Sequence, residues 1–128
     1  MFGKSHSRFD FSLIYNSFIP YTCEIGEGTT FGYKGMGVVI HSDAVIGKNC
    51  IIAQQVTIGG RSKKKNVPVI GNHVYIGAGA KVLGDITIGD ECVIGAGAVV
   101  LDSFEGGSIV AGVPAKLIRA GVKMADYV

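Results

Sequence analysis

The 128-residue sequence has no tryptophan, three prolines and three cysteines, and only 17% of its residues are charged, against an average near 25%. The cysteines are odd in number and far apart, which excludes a disulfide framework and suits a reducing compartment. No apolar run approaches the roughly eighteen residues that a membrane-spanning helix needs. Near the N-terminus Lys4 and Arg8 are followed by Asp10, Ser12, Asn16 and Ser17, which interrupt any apolar core of a secretory leader. The cytoplasm is therefore the expected location. A net charge of +2 is too small for a general nucleic-acid binder. The length allows one domain, and 48% hydrophobic residues exclude a disordered chain.

Glycine, by contrast, is abundant, at 20 residues where about 7% is usual. Large apolar residues recur at Ile19, Ile25, Phe31, Ile40, Ile46, Ile52, Ile58, Ile70, Ile76, Val82, Ile88, Ile94 and Val100, and ten of these twelve spacings are six residues. An amphipathic helix has a period of 3.6 and cannot produce this. With the large apolar residue as position one, position two is glycine in eight of thirteen hexapeptides, which suits a tight corner or an unusual φ. Position five is small or apolar (Cys23, Ala44, Cys50, Val56, Val74, Ala80, Ile86, Cys92, Ala98) and faces inward with position one. Position four is mostly polar (Thr22, Asp43, Asn49, Gln55, His73, Asp85, Glu91) and faces outward. All three cysteines fall in the inward column, so they read as small buried hydrophobes.

This column logic describes an all-β, single-stranded parallel β-helix with flat faces, three hexapeptides to a turn. Residues 19–113 form the solenoid, with an external loop at 59–69. Solenoid ends need covering. Residues 1–18 are expected to supply an N-terminal cap with Phe11, Ile14, Tyr15 and Phe18 at helical spacing. Residues 114–128 form a C-terminal cap and tail, with a short helix expected over Pro114–Ala120.

The two interruptions of the repeat are where function is expected. The longer one, Gly59 to Val69, carries Arg61, Lys63, Lys64 and Lys65. It reads either as a solvated loop or as an anion clamp in which Gly59 and Gly60 admit close backbone approach. The shorter one, Tyr33 to Val39, holds Gly35 and Gly37. His41 occupies the corner column that is glycine in most turns. It precedes Gly59 by eighteen residues, one full turn, so both share an edge of the prism. It is a candidate general base, or else a surface histidine. His73 falls among solvated position-four residues, and His6 lies in the terminus.

The segments VTIGG (56–60), VPVIGNHVYIGAGAKVLGDITIGDECVIGAGAVV (67–100) and IVAGVPAKLI (109–118) resemble the catalytic domain of serine acetyltransferases, within the hexapeptide-repeat acyltransferases. The resemblance implies a left-handed β-helix, a homotrimer with sites between subunits, and acetyl-CoA as donor, with no metal. Carried over by motif, Gly59, Gly60, Ala78 and Ala96 line the donor's pantetheine arm. Arg61, Lys63, Lys116 and Arg119 meet its phosphates. Tyr33, Lys34 and Gln54 are the expected acceptor-side residues.

The departures from the family pattern are specific. No Asp-His pair precedes Val38-Val39-Ile40, Val67 stands where a second histidine precedes the proline, and Asn66 replaces the basic residue that would hold a serine carboxylate. The segment FGYKGMGVVIH is closer to short serine acetyltransferase-like proteins of surface-polysaccharide synthesis, in which a histidine follows VVI. The implied activity is O-acetylation of a sugar hydroxyl, with His41 as base and Asp43 or Asp85 orienting its ring. The alternatives are serine O-acetylation in cysteine biosynthesis and a trimeric structural subunit without catalysis.

Overall fold

The computed structural model describes residues 16–128. The expected N-terminal helix therefore lies largely outside the described residues. Within them the chain forms fourteen short strands and no α-helix. The strands are β1 (Glu24–Ile25), β2 (Thr30–Phe31), β3 (Val39–Ile40), β4 (Val45–Ile46), β5 (Ile51–Ile52), β6 (Thr57–Gly59), β7 (Val69–Ile70), β8 (Tyr75–Ile76), β9 (Lys81–Leu83), β10 (Thr87–Ile88), β11 (Val93–Ile94), β12 (Val99–Val100), β13 (Ile109–Ala111) and β14 (Lys116–Arg119).

They stack into the three faces of a left-handed parallel β-helix. Face one is β1-β4-β7-β10, face two is β2-β5-β8-β11-β13 with β14 at its end, and face three is β3-β6-β9-β12. Most strands show two residues, one outward and one inward, because the chain turns a corner after every hexapeptide. The inward residue is the large apolar one. Ile40, Ile46, Ile52, Ile58, Ile70, Ile76, Ile88 and Ile94 are all fully buried, and so is nearly every inward position-five residue. Registers are regular: Ile46 pairs with Ile70, Ile52 with Ile76, and Ile58 with Val82.

The corner glycines have a different cause from the one their sequence position suggests. The position-two glycines do not adopt positive φ. At Gly26, Gly47, Gly71, Gly77 and Gly89 glycine is required because the next coil's backbone lies against it. A Cβ on Gly26 would stand 2.5 Å from Gly47 O, and one on Gly77 would stand 2.6 Å from Ala96 N. The left-handed conformation belongs instead to position four, where Gly28, Asn49, Gln55, His73, Gly79, Glu91 and Gly97 all have φ between 55° and 81°. Asn and Gly tolerate that region best, which accounts for much of this polar column.

The three corners differ. Corner one, from face one to face two, is all glycine (Gly26, Gly47, Gly71, Gly89). Corner two, from face two to face three, holds only glycine and alanine (Gly32, Ala53, Gly77, Gly95, Ala111). Corner three, from face three to face one, carries His41, Gly59, Leu83 and Leu101. Corner one is further tied by a side-chain ladder: Asn72 Oδ1 accepts from Lys48 N and Asp90 Oδ1 accepts from Asn72 N, each at 2.8 Å.

The C-terminal cap corrects the expected helix. Lys116–Arg119 is a strand, β14, antiparallel to β13, with Ala111 opposite Lys116. The stretch is too short to bury a helical face, whereas pairing satisfies the hydrogen-bonding groups that β13 would leave at the end of face two. The chain then returns over the last coil. Met124 N donates to Glu91 Oε1 at 2.9 Å, and Arg119 Nη1 to Tyr127 Oη at 3.0 Å.

Candidate functional site

Corner three is the corner that carries side chains larger than methyl, at His41, Leu83 and Leu101. His41 and Leu83 flank Gly59 along the axis, and the missing side chain between them leaves a groove of about 450 Å³. Its walls include His41, Ser42, Thr57, Gly59, Gly60 and Leu83. A methyl group on Gly59 would meet only ordinary contacts, Thr57 Cγ2 at 3.7 Å and Leu83 Cδ2 at 3.8 Å. Glycine at 59 is thus not demanded by the stacking, unlike glycine at corner one.

The His41 ring is held by its own turn. Ala44 N donates to His41 O at 3.0 Å, closing a four-residue turn, and within it Asp43 N donates to His41 Nδ1 at 3.0 Å. Asp43 therefore contacts the imidazole through its backbone amide, not through its exposed carboxylate as the sequence reading expects. Asp85, the other expected orienting residue, is engaged elsewhere: its Oδ2 accepts from Asn66 Nδ2 at 3.2 Å.

That contact folds the basic loop toward the C-terminal coils. Arg61 packs over Gly84, and Lys64 N donates to Arg61 O at 2.9 Å. Arg61 and Lys64 face a second groove of about 280 Å³ with Asp85, Asp102 and Ser103. Lys63 is exposed, with φ of 65°. Lys65 and Asn66 line a third hollow of about 240 Å³ with Asp43 and Val69. Among the described residues no salt bridge neutralises these cations.

The other expected residues lie on corner two. Gly79 N donates to Gln54 O at 3.0 Å and Gly97 N to Ala78 O at 2.8 Å, so Gln54, Ala78 and Ala96 form one column on successive coils. Tyr33 and Lys34 head this column in a 3-10 turn at Gly32–Gly35, with φ of 48° and 57°. Two consecutive non-glycine residues in the left-handed region project Tyr33 outward, 73% exposed. Lys116 stands at the foot, paired to Ala111. Arg119 lies at the opposite end of β14, where Tyr127 holds it, and so falls outside the column.

One chain therefore divides the expected site residues between two edges. His41, Gly59, Gly60 and Arg61 are on corner three. Tyr33, Lys34, Gln54, Ala78, Ala96 and Lys116 are on corner two. Face three separates them by about five residues of extended chain, roughly 16 Å. Lys81, absent from the sequence-derived set, stands on that face with its Nζ donating to Gly79 O at 3.1 Å. Leu83 and Leu101 were also legible as a signal, being the large residues that share His41's corner column.

The three thiols are structural. Cys50 Sγ donates to Gly71 O at 3.1 Å and Cys92 Sγ to Glu105 O at 3.2 Å, while Cys23 Sγ donates to Pro20 O at 2.9 Å. Burial raises the pKa of all three, against the lowering effect of nearby backbone hydrogen bonds. Among the described residues no three His, Cys, Asp or Glu side chains converge as a metal site, and no helix is long and apolar enough to cross a membrane.

Comparison with known proteins agrees with this architecture. Residues 68–102 match the family model for bacterial transferase hexapeptide (six repeats). The serine acetyltransferase of Synechococcus elongatus is 46% identical over 103 residues, covering 78% of this chain and 42% of that protein. The structure of serine acetyltransferase from Brucella abortus strain S19 in complex with coenzyme A aligns with a TM-score of 0.82 at 38% identity, covering 88% of this chain and 45% of that one. The Neisseria gonorrhoeae serine acetyltransferase aligns with a TM-score of 0.81 at 36% identity, covering 90% and 44%. The chain thus spans less than half the length of these relatives.

Proposed function

This chain is a serine acetyltransferase-like member of the hexapeptide-repeat acyltransferases, and from that premise we propose that it transfers an acetyl group from acetyl-CoA to a hydroxyl of a small acceptor. The observation that carries the reading is the corner-two column. Gln54, Ala78 and Ala96 present small or slender residues and free edge space over successive coils, with Lys116 at the foot and Tyr33 and Lys34 at the head. From β2 through β5, β8 and β11 to β13 there are four coil steps of about 4.8 Å, which make a lane of roughly 19 Å. An extended pantetheine arm fits such a lane, its phosphates at the basic foot and its thioester at the Tyr33 end. The Brucella relative, which was crystallised with coenzyme A, supports a CoA donor.

The separation of the two edges supports a composite site. His41, Gly59 and Gly60 reach the acetyl group at the head of the lane when corner three of a neighbouring copy lies against corner two of this one. A closed ring of three copies makes this contact three times over, which is the homotrimer of the reading. The loop cations Arg61, Lys63 and Lys64 then approach the donor's phosphates from the neighbour's side, while Arg119, tied to Tyr127, is left out of the set.

A sugar is the favoured acceptor. Tyr33 offers an exposed ring on which a sugar can stack, with the Gln54 amide nearby to bond its hydroxyls. No basic residue stands at position 66 to hold an amino-acid carboxylate; Asn66 is spent on Asp85. Serine remains the second reading, favoured by the identity to the Synechococcus protein. The test is thiol release from acetyl-CoA, first with L-serine and then with a panel of sugars and sugar nucleotides. Turnover with a sugar supports the reading, turnover with serine alone replaces the acceptor, and failure to bind CoA removes the enzyme reading in favour of a structural subunit.

A further inference from the structure

We propose that His41 acts in this reaction as a neutral hydrogen-bond donor through Nε2, not as the base that removes the acceptor's proton. The inference rests on the acetyl-transfer reading above, and its structural part stands on the turn that holds the ring. A ring nitrogen that accepts an N–H carries no proton of its own. Asp43 N donates to His41 Nδ1 at 3.0 Å, so the single proton of the neutral imidazole resides on Nε2. The donor is a backbone amide, fixed by the turn that Ala44 N closes onto His41 O. A carboxylate partner would have imposed the opposite tautomer, with Nδ1 protonated and the Nε2 lone pair free. The exposed Asp43 carboxylate does not take that place, and Asp85 is bonded to Asn66.

The groove in which His41 sits suits a donor. Gly59 leaves the space beside the ring open, and the other walls are mostly apolar or backbone. In the proposed step the acceptor oxygen forms a bond to the thioester carbonyl carbon, and the carbonyl π pair moves onto its oxygen. His41 Nε2–H, on the wall of this groove, stabilises that charge. The tetrahedral species collapses, the carbon–sulfur bond breaks, and the acceptor's proton passes to the departing sulfur. The products are the acetyl ester and the CoA thiol, and His41 finishes in the state in which it began. Acting as base would require the proton on Nδ1, pointed at the Asp43 N–H, with the loss of that hydrogen bond.

The experiment has two readouts on the full chain. The first is the long-range 1H–15N correlation pattern of 15N-histidine-labelled protein above the imidazole pKa, with the His41 signals identified by their loss in His41→Gln. The Nε2–H tautomer is expected; an Nδ1–H pattern overturns the inference whatever the enzyme does. The second compares acetyl transfer by His41→Gln and His41→Ala. The glutamine amide can still donate, so His41→Gln is expected within about tenfold of the parent, while His41→Ala falls about 10²–10³-fold. Equal and severe loss in both variants overturns the donor role. A parent protein that binds no CoA and turns over no acceptor fails at the underlying reading instead, and takes the catalytic role with it while leaving the tautomer measurement intact.

Discussion

The thiol of Cys50 donates to the carbonyl of Gly71, one coil further along the axis, at 3.1 Å. Thr29 does the same one coil earlier, its Oγ1 donating to Gly47 O at 2.7 Å. In the inward column before face two, Thr29, Cys50, Cys92 and Ser108 are therefore small donors to carbonyls at corner one, and only Val74 is not. Cys50→Ser is expected to stay within about 1 kcal/mol of the parent, whereas Cys50→Val, which leaves Gly71 O without its donor, costs about 1–3 kcal/mol. Denaturant unfolding at fixed protein concentration separates the two.

Burial, the largest influence on each thiol, raises the pKa of Cys23, Cys50 and Cys92 above the ordinary value of 9.0. Iodoacetamide at neutral pH is expected to leave all three unmodified in the folded protein and to label all three in denaturant. The sign for stability follows from linkage. The unfolded thiols ionise first, so their contribution is complete below pH 9.0 and is lost as pH rises above it toward the folded values. An unfolding free energy that rises from pH 8 to pH 10 would contradict this.

Gly77 and Gly59 occupy the same column position on different corners, and their alanine variants separate folding from function. Gly77→Ala places a methyl 2.6 Å from Ala96 N and is expected to cost about 1–3 kcal/mol or more, because backbone cannot swing aside as a side chain can. Gly59→Ala meets nothing closer than 3.7 Å and is expected to unfold like the parent. It fills the groove beside His41, so acetyl transfer falls by about tenfold or more while the melting temperature stays put. Normal turnover in Gly59→Ala would place the reaction elsewhere.

Arg61 and Lys64 place two positive charges over the coil that follows the loop, with no salt bridge to either among the described residues. Arg61→Ala is expected to raise the KM for acetyl-CoA about tenfold with kcat little changed, the size of one lost charge-assisted hydrogen bond. Added salt would raise the parent's KM in the same direction. Asp85→Ala, which releases Asn66 and with it the loop, is expected to share the KM effect in part.

The stacking order of this chain is legible in its sequence, because position one and position five can be filled only from inside the prism. Ile46, Ile70 and Ile88 announce one face as plainly as the structure does. What the columns do not carry is cause. Gly26 and Gly77 look like residues needing an unusual φ, yet they answer a neighbour's backbone, and only a stacked coil reveals that neighbour. Lys116–Arg119 reads as a helix turn because its partner, β13, is a matter of three-dimensional placement. For the site, the sequence places His41 and Gly59 on one edge. It cannot assign Asp43 its backbone role, since an amide proton is common to every residue but proline and its direction is set by the turn.

The coil repeat has a metric consequence. Tyr75 aligns with Val93 eighteen residues later, and Lys81 with Val99, so each coil is a graduation of constant rise. The lane between Tyr33 and Lys116 is thus a ruler whose length changes only in whole marks of about 4.8 Å. Removing one eighteen-residue coil from its middle would leave both ends chemically intact but bring them one mark closer. Donors would then be sorted by the length of their arm, with the head and foot of the lane unaltered.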